Sequence, residues 1–247
     1  MLFEDVDKEQ LTRLLPKENL SKNIWKNKSL KPGIGTALAN IAEEFISFIG
    51  IEVTVRDITF TGSLANYNYT DYSDIDLHII IDFEEVDENL ELVRDFMNAK
   101  KSLWNLRHDI RIYGHEVEVY AQDTDEALHA SDAGIFSIQQ DRWINPPRRA
   151  ASYEDIDIKS VKRKVENIQK RIDKIVSAKR LDIEKLDALK EKIKTMRQAG
   201  LERDGEFAVE NLAFKVLRRT GYIQKIFDEK NKAFDKSLSL SEINFSL

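Results

Sequence analysis

Two stretches of the chain alternate apolar and polar residues with period two, the repeat of a strand that buries one face. The first, residues 53–60 (VTVRDITF), is rich in β-branched residues and predicts a strand that ends at Gly62. The second, residues 74–82 (DIDLHIIID), sets Leu77, Ile79 and Ile81 on one face and Asp74, Asp76 and His78 on the other. A third apolar stretch, residues 110–120, changes parity between Ile110/Ile112 and Val117/Val119, so the chain must turn or bulge near Gly114. Between these stretches the spacing becomes helical. Residues 35–49 carry Leu38, Ile41, Phe45 and Phe48 on one side, and residues 86–106 carry Leu90, Val93, Phe96, Met97, Leu103 and Trp104. Residues 11–29 read as a polar helical lead-in with Ile24 and Trp25 as its apolar anchor, and residues 134–140 as a further short strand before the break at Asn145-Pro146-Pro147.

From Ile158 the pattern is purely helical. Ile158, Val161, Val165, Ile168, Ile172 and Ile175 form a 3-4-3-4-3 seam, which fits packing within the chain or pairing with a second copy. A second helix carries Leu186, Leu189, Ile193 and Met196 and is expected to stop at Gly200; a third, after Asp204-Gly205, carries Val209, Leu212, Val216, Ile223 and Phe227. The tail after Lys236 alternates with period two and reads equally as a docked strand or a frayed end. The expected fold is therefore α+β: a small mixed-sheet domain over residues 1–150, followed by an α-helical bundle over residues 151–247.

Composition narrows the class. In 247 residues, 42% hydrophobic content supports a real core, while 33% charged residues and few Gly and Pro exclude a disordered chain. The absence of cysteine excludes disulfides, thiol catalysis and cysteine zinc sites, and agrees with a cytoplasmic location. Apolar runs are short and the N-terminus is acidic, so neither a membrane span nor a signal peptide is expected. The net charge of −6 is unevenly spread: residues 1–153 hold 16 Lys and Arg against 27 Asp and Glu, whereas residues 154–236 hold 22 against 16. A basic helical half attached to an acidic half fits either a polyanion partner such as RNA or a solvated surface.

The chemistry concentrates around the two aspartates. Asp74 and Asp76 share a strand face and repel one another, a conflict that a hard divalent ion resolves by taking carboxylate and phosphate oxygens together. A third acid is available from residues 116–120, where Glu116, Glu118 and Tyr120 share a face. Glu118, flanked by valines, is favoured as the ligand, with Glu116 as the alternative. Upstream, Gly62 and Ser63 open a short helical turn whose free amides suit an anion. Lys215 and Arg218, neighbours on a helix surface, are candidate phosphate ligands, against a solvated role. Trp143 and Arg142 border either a base or the core. His78, His108, His115 and His129 lack zinc spacing, and no P-loop or dinucleotide fingerprint occurs.

The run Gly62-Ser63, the Asp74-Ile75-Asp76-Leu77 motif ten residues on and a later apolar-Glu-apolar strand together resemble the DNA polymerase β-type nucleotidyltransferase superfamily. More closely, residues 60–68 with residues 72–78 are similar to uncharacterised predicted nucleotidyltransferases carried by tailed phages, a likeness that reaches residues 143–147 and 206–212. The superfamily motif covers residues 52–121, and Glu stands where its third acid is usually Asp. This resemblance implies transfer of NMP, AMP from ATP being the expected case, to an acceptor with release of pyrophosphate. Asp74, Asp76 and Glu118 would hold Mg²⁺ or Mn²⁺ in a two-metal arrangement, with Gly62 and Ser63 binding the β or γ phosphate. The acceptor is left open among RNA, protein, nucleotide and small molecule. The competing expectation is an inactive nucleotidyltransferase fold that binds a nucleotide or a protein.

Overall fold

The computed structural model describes residues 17–126, 134–148, 157–178 and 181–239, and these fall into two compact units, 17–148 and 157–239. Among the described residues the architecture is α+β, with six α-helices, a mixed six-stranded sheet and a two-stranded ribbon.

The first unit opens on the ribbon β1 (Trp25–Lys26) and β2 (Ser29–Leu30), turned by Asn27 and Lys28 at positive φ. Residues 17–29 are therefore turn and hairpin, not the expected helical lead-in; residues 11–16 of that expectation lie outside the described residues. Helix α1 (Ile34–Ile49) follows, then β3 (Val55–Thr61), β4 (Ile75–Ile81), α2 (Leu90–Arg107), β5 (Arg111–Ile112), β6 (His115–Asp123), β7 (Ile135–Ser137) and β8 (Arg142–Asn145). The sheet order is β5-β6-β4-β3-β7-β8, antiparallel except for the parallel pair β4 and β6. A parallel neighbour needs a crossover, and α2 supplies it. The parity change near Gly114 is a tight hairpin, with Tyr113 and Gly114 both at positive φ between β5 and β6.

One sheet face carries the core. Phe60 of β3, Leu77, Ile79 and Ile81 of β4 and Val117 and Val119 of β6 pack against Leu38 and Phe45 of α1 and Met97 and Trp104 of α2. The opposite parity carries Thr59 and Thr61, Asp76 and His78, and Glu118, Tyr120 and Gln122. Beyond the short β5, strand β6 runs along the sheet edge, where Asn105 takes the place of a neighbouring strand. Its amide donates to Val119 O at 3.2 Å and its carbonyl accepts from Val119 N at 3.1 Å.

The second unit contains α3 (Ile158–Val176), α4 (Ile183–Asp204), α5 (Val209–Arg219) and α6 (Tyr222–Leu238). The α3 seam is buried through Val161, Val165, Ile168 and Ile172. Asp157 and Asp182 cap α3 and α4 by accepting from the amides of Ser160 and Lys185. Gly200 does not stop α4. It lies buried within the helix, and a Cβ there would sit 2.7 Å from Glu210 Cβ, so its smallness serves packing against α5. The stop falls at Gly205, whose φ of 69° leaves the helical region. The expected third helix is two helices, broken at Thr220-Gly221 with Gly221 at φ 77°. The alternating tail lies outside the described residues from 240 onward.

Candidate active site

The loop from Gly62 to Ser73 joins β3 to β4 and is held from several directions. Ser63 and Ser73 share a hydrogen bond between hydroxyls at 2.7 Å, and Ser73 Oγ also accepts from Thr70 N at 2.9 Å. The Trp25 indole donates to Leu64 O at 2.7 Å while its ring stacks on Phe60 and Trp143. His115 at the start of β6 donates from Nδ1 to Ser73 O at 2.7 Å, which fixes its tautomer and couples the loop to the strand that carries the glutamates. Trp143, half-buried against the core, belongs to this support: it stacks on Trp25 and donates to Lys28 O at 2.7 Å. Arg142 is exposed and donates to Gln140 at 2.8 Å.

Gly134 closes the loop's far side. A Cβ there would meet Ala65 O at 2.1 Å and the Trp143 ring at 2.8 Å. Gly134→Ala is therefore expected to destabilise the fold by about 1–3 kcal/mol through overpacking, read as a lower denaturation midpoint at unchanged m-value.

Parallel register brings the acids together across the sheet. Asp76 stands directly opposite Glu118, and Thr61 faces Asp76 from the other side. Gly62 has φ 79° and ψ −163°, a conformation open to glycine and strained for other residues. Its missing Cβ is where the Asp76 carboxylate rests: a methyl group on this residue would lie 1.7 Å from Oδ2. Ser63 begins a single 3₁₀ turn, Ser63–Ala65, instead of a longer helix. So short an element has little macrodipole, and any anion affinity there rests on individual amides and the Ser63 hydroxyl.

Glu118 accepts a short hydrogen bond from the Tyr120 hydroxyl. Burial pushes the Tyr120 phenol up, the bond to Glu118 adds to the shift, and the charges of Asp76, Glu118 and Asp74 add more. All three carboxylates thus act on one phenol, which remains a proton donor throughout the neutral range. Lys101, reaching from α2, sets its ammonium 4.1 Å from the centre of the Tyr120 ring, and His78 stacks on that ring at 4.8 Å. The His78 imidazole donates from Nδ1 to Gln122 at 2.6 Å, and its burial lowers its pKa, so it is a neutral member of the face. Glu116 lies two residues nearer the hairpin, opposite Arg111, with 3.4 Å between their charged groups. Among the described residues no three His, Cys, Asp or Glu side chains are gathered closely enough to form a ready-made metal site.

Lys215 and Arg218 belong to α5 in the second unit. Lys215 Nζ is 3.1 Å from Glu206 Oε2, in a cluster where Asn211 also donates to Glu206 and accepts from Arg197. Burial alone would raise the Glu206 pKa; Lys215, Arg197 and Asn211 together hold it below the usual carboxylate value. Arg218 is exposed in the last turn of α5.

Comparison with protein-family models, curated proteins and solved structures gave no match. Among the described residues no helix is long and apolar enough to cross a membrane. Ser73, His115 and the Trp25 indole hold the candidate site in shape, yet they carry little sequence signal of that role. The nearest hint is that Ser73 directly precedes the first aspartate and Trp25 stands out as a large apolar residue in a polar stretch.

Proposed function

We propose that the protein is a metal-dependent nucleotidyltransferase that moves NMP, most simply AMP from ATP, onto an acceptor with release of pyrophosphate. The observation that carries this reading is the Asp76 carboxylate seated over Gly62 and directly opposite Glu118, with Asp74 just before β4 and near enough for its charge to act on Tyr120. Two cross-strand carboxylates with a third beside them are a costly arrangement for a purely structural sheet, because like charges at close range raise one another's energy.

The residues fit a divalent cation. They offer hard carboxylate oxygens from two adjacent strands, with Asp76 and Glu118 in register and both half-buried. In this reading Asp74, Asp76 and Glu118 would hold Mg²⁺ or Mn²⁺, with one Glu118 oxygen accepting from the Tyr120 hydroxyl and the other left for the cation. A cation there supplies Lewis-acid polarisation of the reacting phosphate and lowers the pKa of the acceptor hydroxyl. The amides of Gly62 and Ser63 and the Ser63 hydroxyl donate to the outer phosphates, holding the leaving pyrophosphate in line. Tyr120, kept protonated, steadies Glu118 while Lys101 lies over the phenol ring. The nucleotide preference and the cytoplasmic setting belong to the same proposal.

The deciding experiment is a pyrophosphate-release assay with each of the four NTPs and Mg²⁺ or Mn²⁺, across tRNA, total RNA, protein and nucleotide acceptors. Cation-dependent release that labels one acceptor class supports the reading; NTP binding without turnover in every arm would instead establish a nucleotide-binding module. A side-by-side comparison tests the third ligand. Glu118→Gln is expected to lose about 10²-fold or more in turnover, while Glu116→Gln, whose partner is Arg111, changes it by no more than about fivefold.

A further inference from the structure

Within the second unit, α4 sets cations against aromatic side chains of the two helices that follow it. Along α4, Lys190, Lys194 and Arg197 line a groove of about 380 Å³ whose opposite wall is formed by Phe214 of α5 and Phe227 of α6. Among the described residues no carboxylate lines this groove. Lys190 and Arg197 span seven residues, about 10 Å of helix at 1.5 Å per residue. Each aromatic ring faces a cation: Lys190 Nζ is 4.8 Å from the Phe227 centroid, and Arg197 Cζ is 4.4 Å from that of Phe214. Phe227 is 39% exposed, a large apolar surface left open to solvent. Lys194 is exposed and forms no ion pair among the described residues. On the other side of α4, Arg163, Arg171 and Lys192 line a second groove of about 450 Å³ with an aliphatic floor that includes Leu189 and Met196; its one carboxylate among the described residues, Glu210, is paired with Lys164 and Arg203.

We infer that this α4 surface binds a single-stranded polynucleotide, with Phe227 and Phe214 as stacking platforms and the α4 cations neutralising phosphates. Flat rings interleaved with cations in an acid-free groove match the recurring chemistry of single-strand recognition, because every base has a π-face and every step a phosphate. An acidic peptide would satisfy the cations but would leave the two rings without a planar partner. A single nucleotide would fill one groove and leave the cations on the other side of α4 unused, whereas a strand can follow both. A base placed on Phe227 displaces the Lys190 ammonium from the ring face toward the neighbouring phosphate. The site is defined by the second unit alone and does not depend on the activity proposed for the first.

The test uses the full chain and fluorescein-labelled oligo(rA) and oligo(dA) of about 15 nucleotides, followed by anisotropy at several salt concentrations. Binding is expected at about 50 mM salt and should weaken steeply as salt rises. The double variant Lys190→Glu with Lys194→Glu should weaken affinity at least tenfold and reduce the slope of log affinity against log salt by about 1.4, roughly 0.7 for each cation removed. Phe227→Ala should weaken it by roughly five- to a hundredfold, and Phe227→Tyr, which keeps the ring, should restore most of the loss. Lys236→Glu, exposed in the last turn of α6 and in the lining of neither groove, should have little effect. Tighter binding of oligo(rA) would assign the strand to RNA, and equal binding would assign a single strand of either sugar. The inference is overturned if neither oligonucleotide binds, or if charge reversal leaves affinity unchanged in variants whose circular dichroism matches the parent. It is also overturned if Phe227→Ala is neutral and a polyglutamate peptide competes as well as oligonucleotide, since that would show a surface that attracts any polyanion. Asp76→Ala should retain full oligonucleotide binding, which separates this result from the fate of the catalytic proposal.

Discussion

Asp76→Ala is expected to lower nucleotidyl transfer by about 10³-fold or more while leaving the protein folded. Asp76 is the acid with the most constrained position: β4 pairs on one side with β3 and on the other with β6, so its carboxylate is held between Thr61 and Glu118. In the proposed reaction it binds the cation that stabilises charge developing on the transferred phosphate, and removing such a group typically costs several kcal/mol of transition-state stabilisation. The same truncation removes one of three like charges from the face, so it relieves repulsion in the absence of a cation. Turnover of labelled ATP and calorimetric Mn²⁺ titration with nucleotide present should both collapse, while circular dichroism is preserved. Undiminished cation and nucleotide binding in the Asp74→Ala, Asp76→Ala double variant would remove the basis for this site.

Gly62→Ala should be nearly as damaging, for a steric reason. The new methyl would fall 1.7 Å from Asp76 Oδ2 and 2.8 Å from Cγ, and the residue would have to keep a φ of 79° that alanine adopts only under strain. Either the Asp76 side chain swings out or the start of the loop is displaced. A loss of about 10²-fold in turnover and about 2–4 kcal/mol in stability is expected. A double-mutant cycle separates the two parts. In an Asp76→Ala background the collision with the carboxylate is gone, so the stability cost of Gly62→Ala should shrink to its backbone share. Equal costs in both backgrounds, measured by urea denaturation, would show that Gly62 matters for its dihedrals alone.

Much of this molecule is written in local periodicity. The alternation over residues 74–82 was sufficient to put Asp76 and His78 on one face and Leu77, Ile79 and Ile81 on the other, because a strand has a period of two whatever it pairs with. The same holds for α1 and for the α3 seam, whose apolar spacing specifies the buried side of a helix before any partner is known. The parity change at Gly114 likewise announced the hairpin that reverses the chain into β6.

Other features depend on which distant segments meet, and local pattern is silent there. Period two allows β6 to slide by two residues against β4 with its valines still buried, so the pairing of Asp76 with Glu118 in place of Glu116 is decided by the three-dimensional register. The hold of Trp25 on Leu64 and of His115 on Ser73 spans about 40 residues in each case, and a lone tryptophan or histidine carries no trace of its partner. Gly200 and Gly205 look equally able to end a helix. Packing against Glu210 keeps the first inside α4, and the positive φ of the second ends it. The sequence by itself determined the main strands and helices, their buried faces and the polar face of β4 that carries Asp76, since these follow from residue spacing along one segment. The tertiary structure decided the register across the sheet, the seat of Asp76 over Gly62 and the gathering of cations and phenylalanines around α4, because each requires segments far apart in the chain to be in contact.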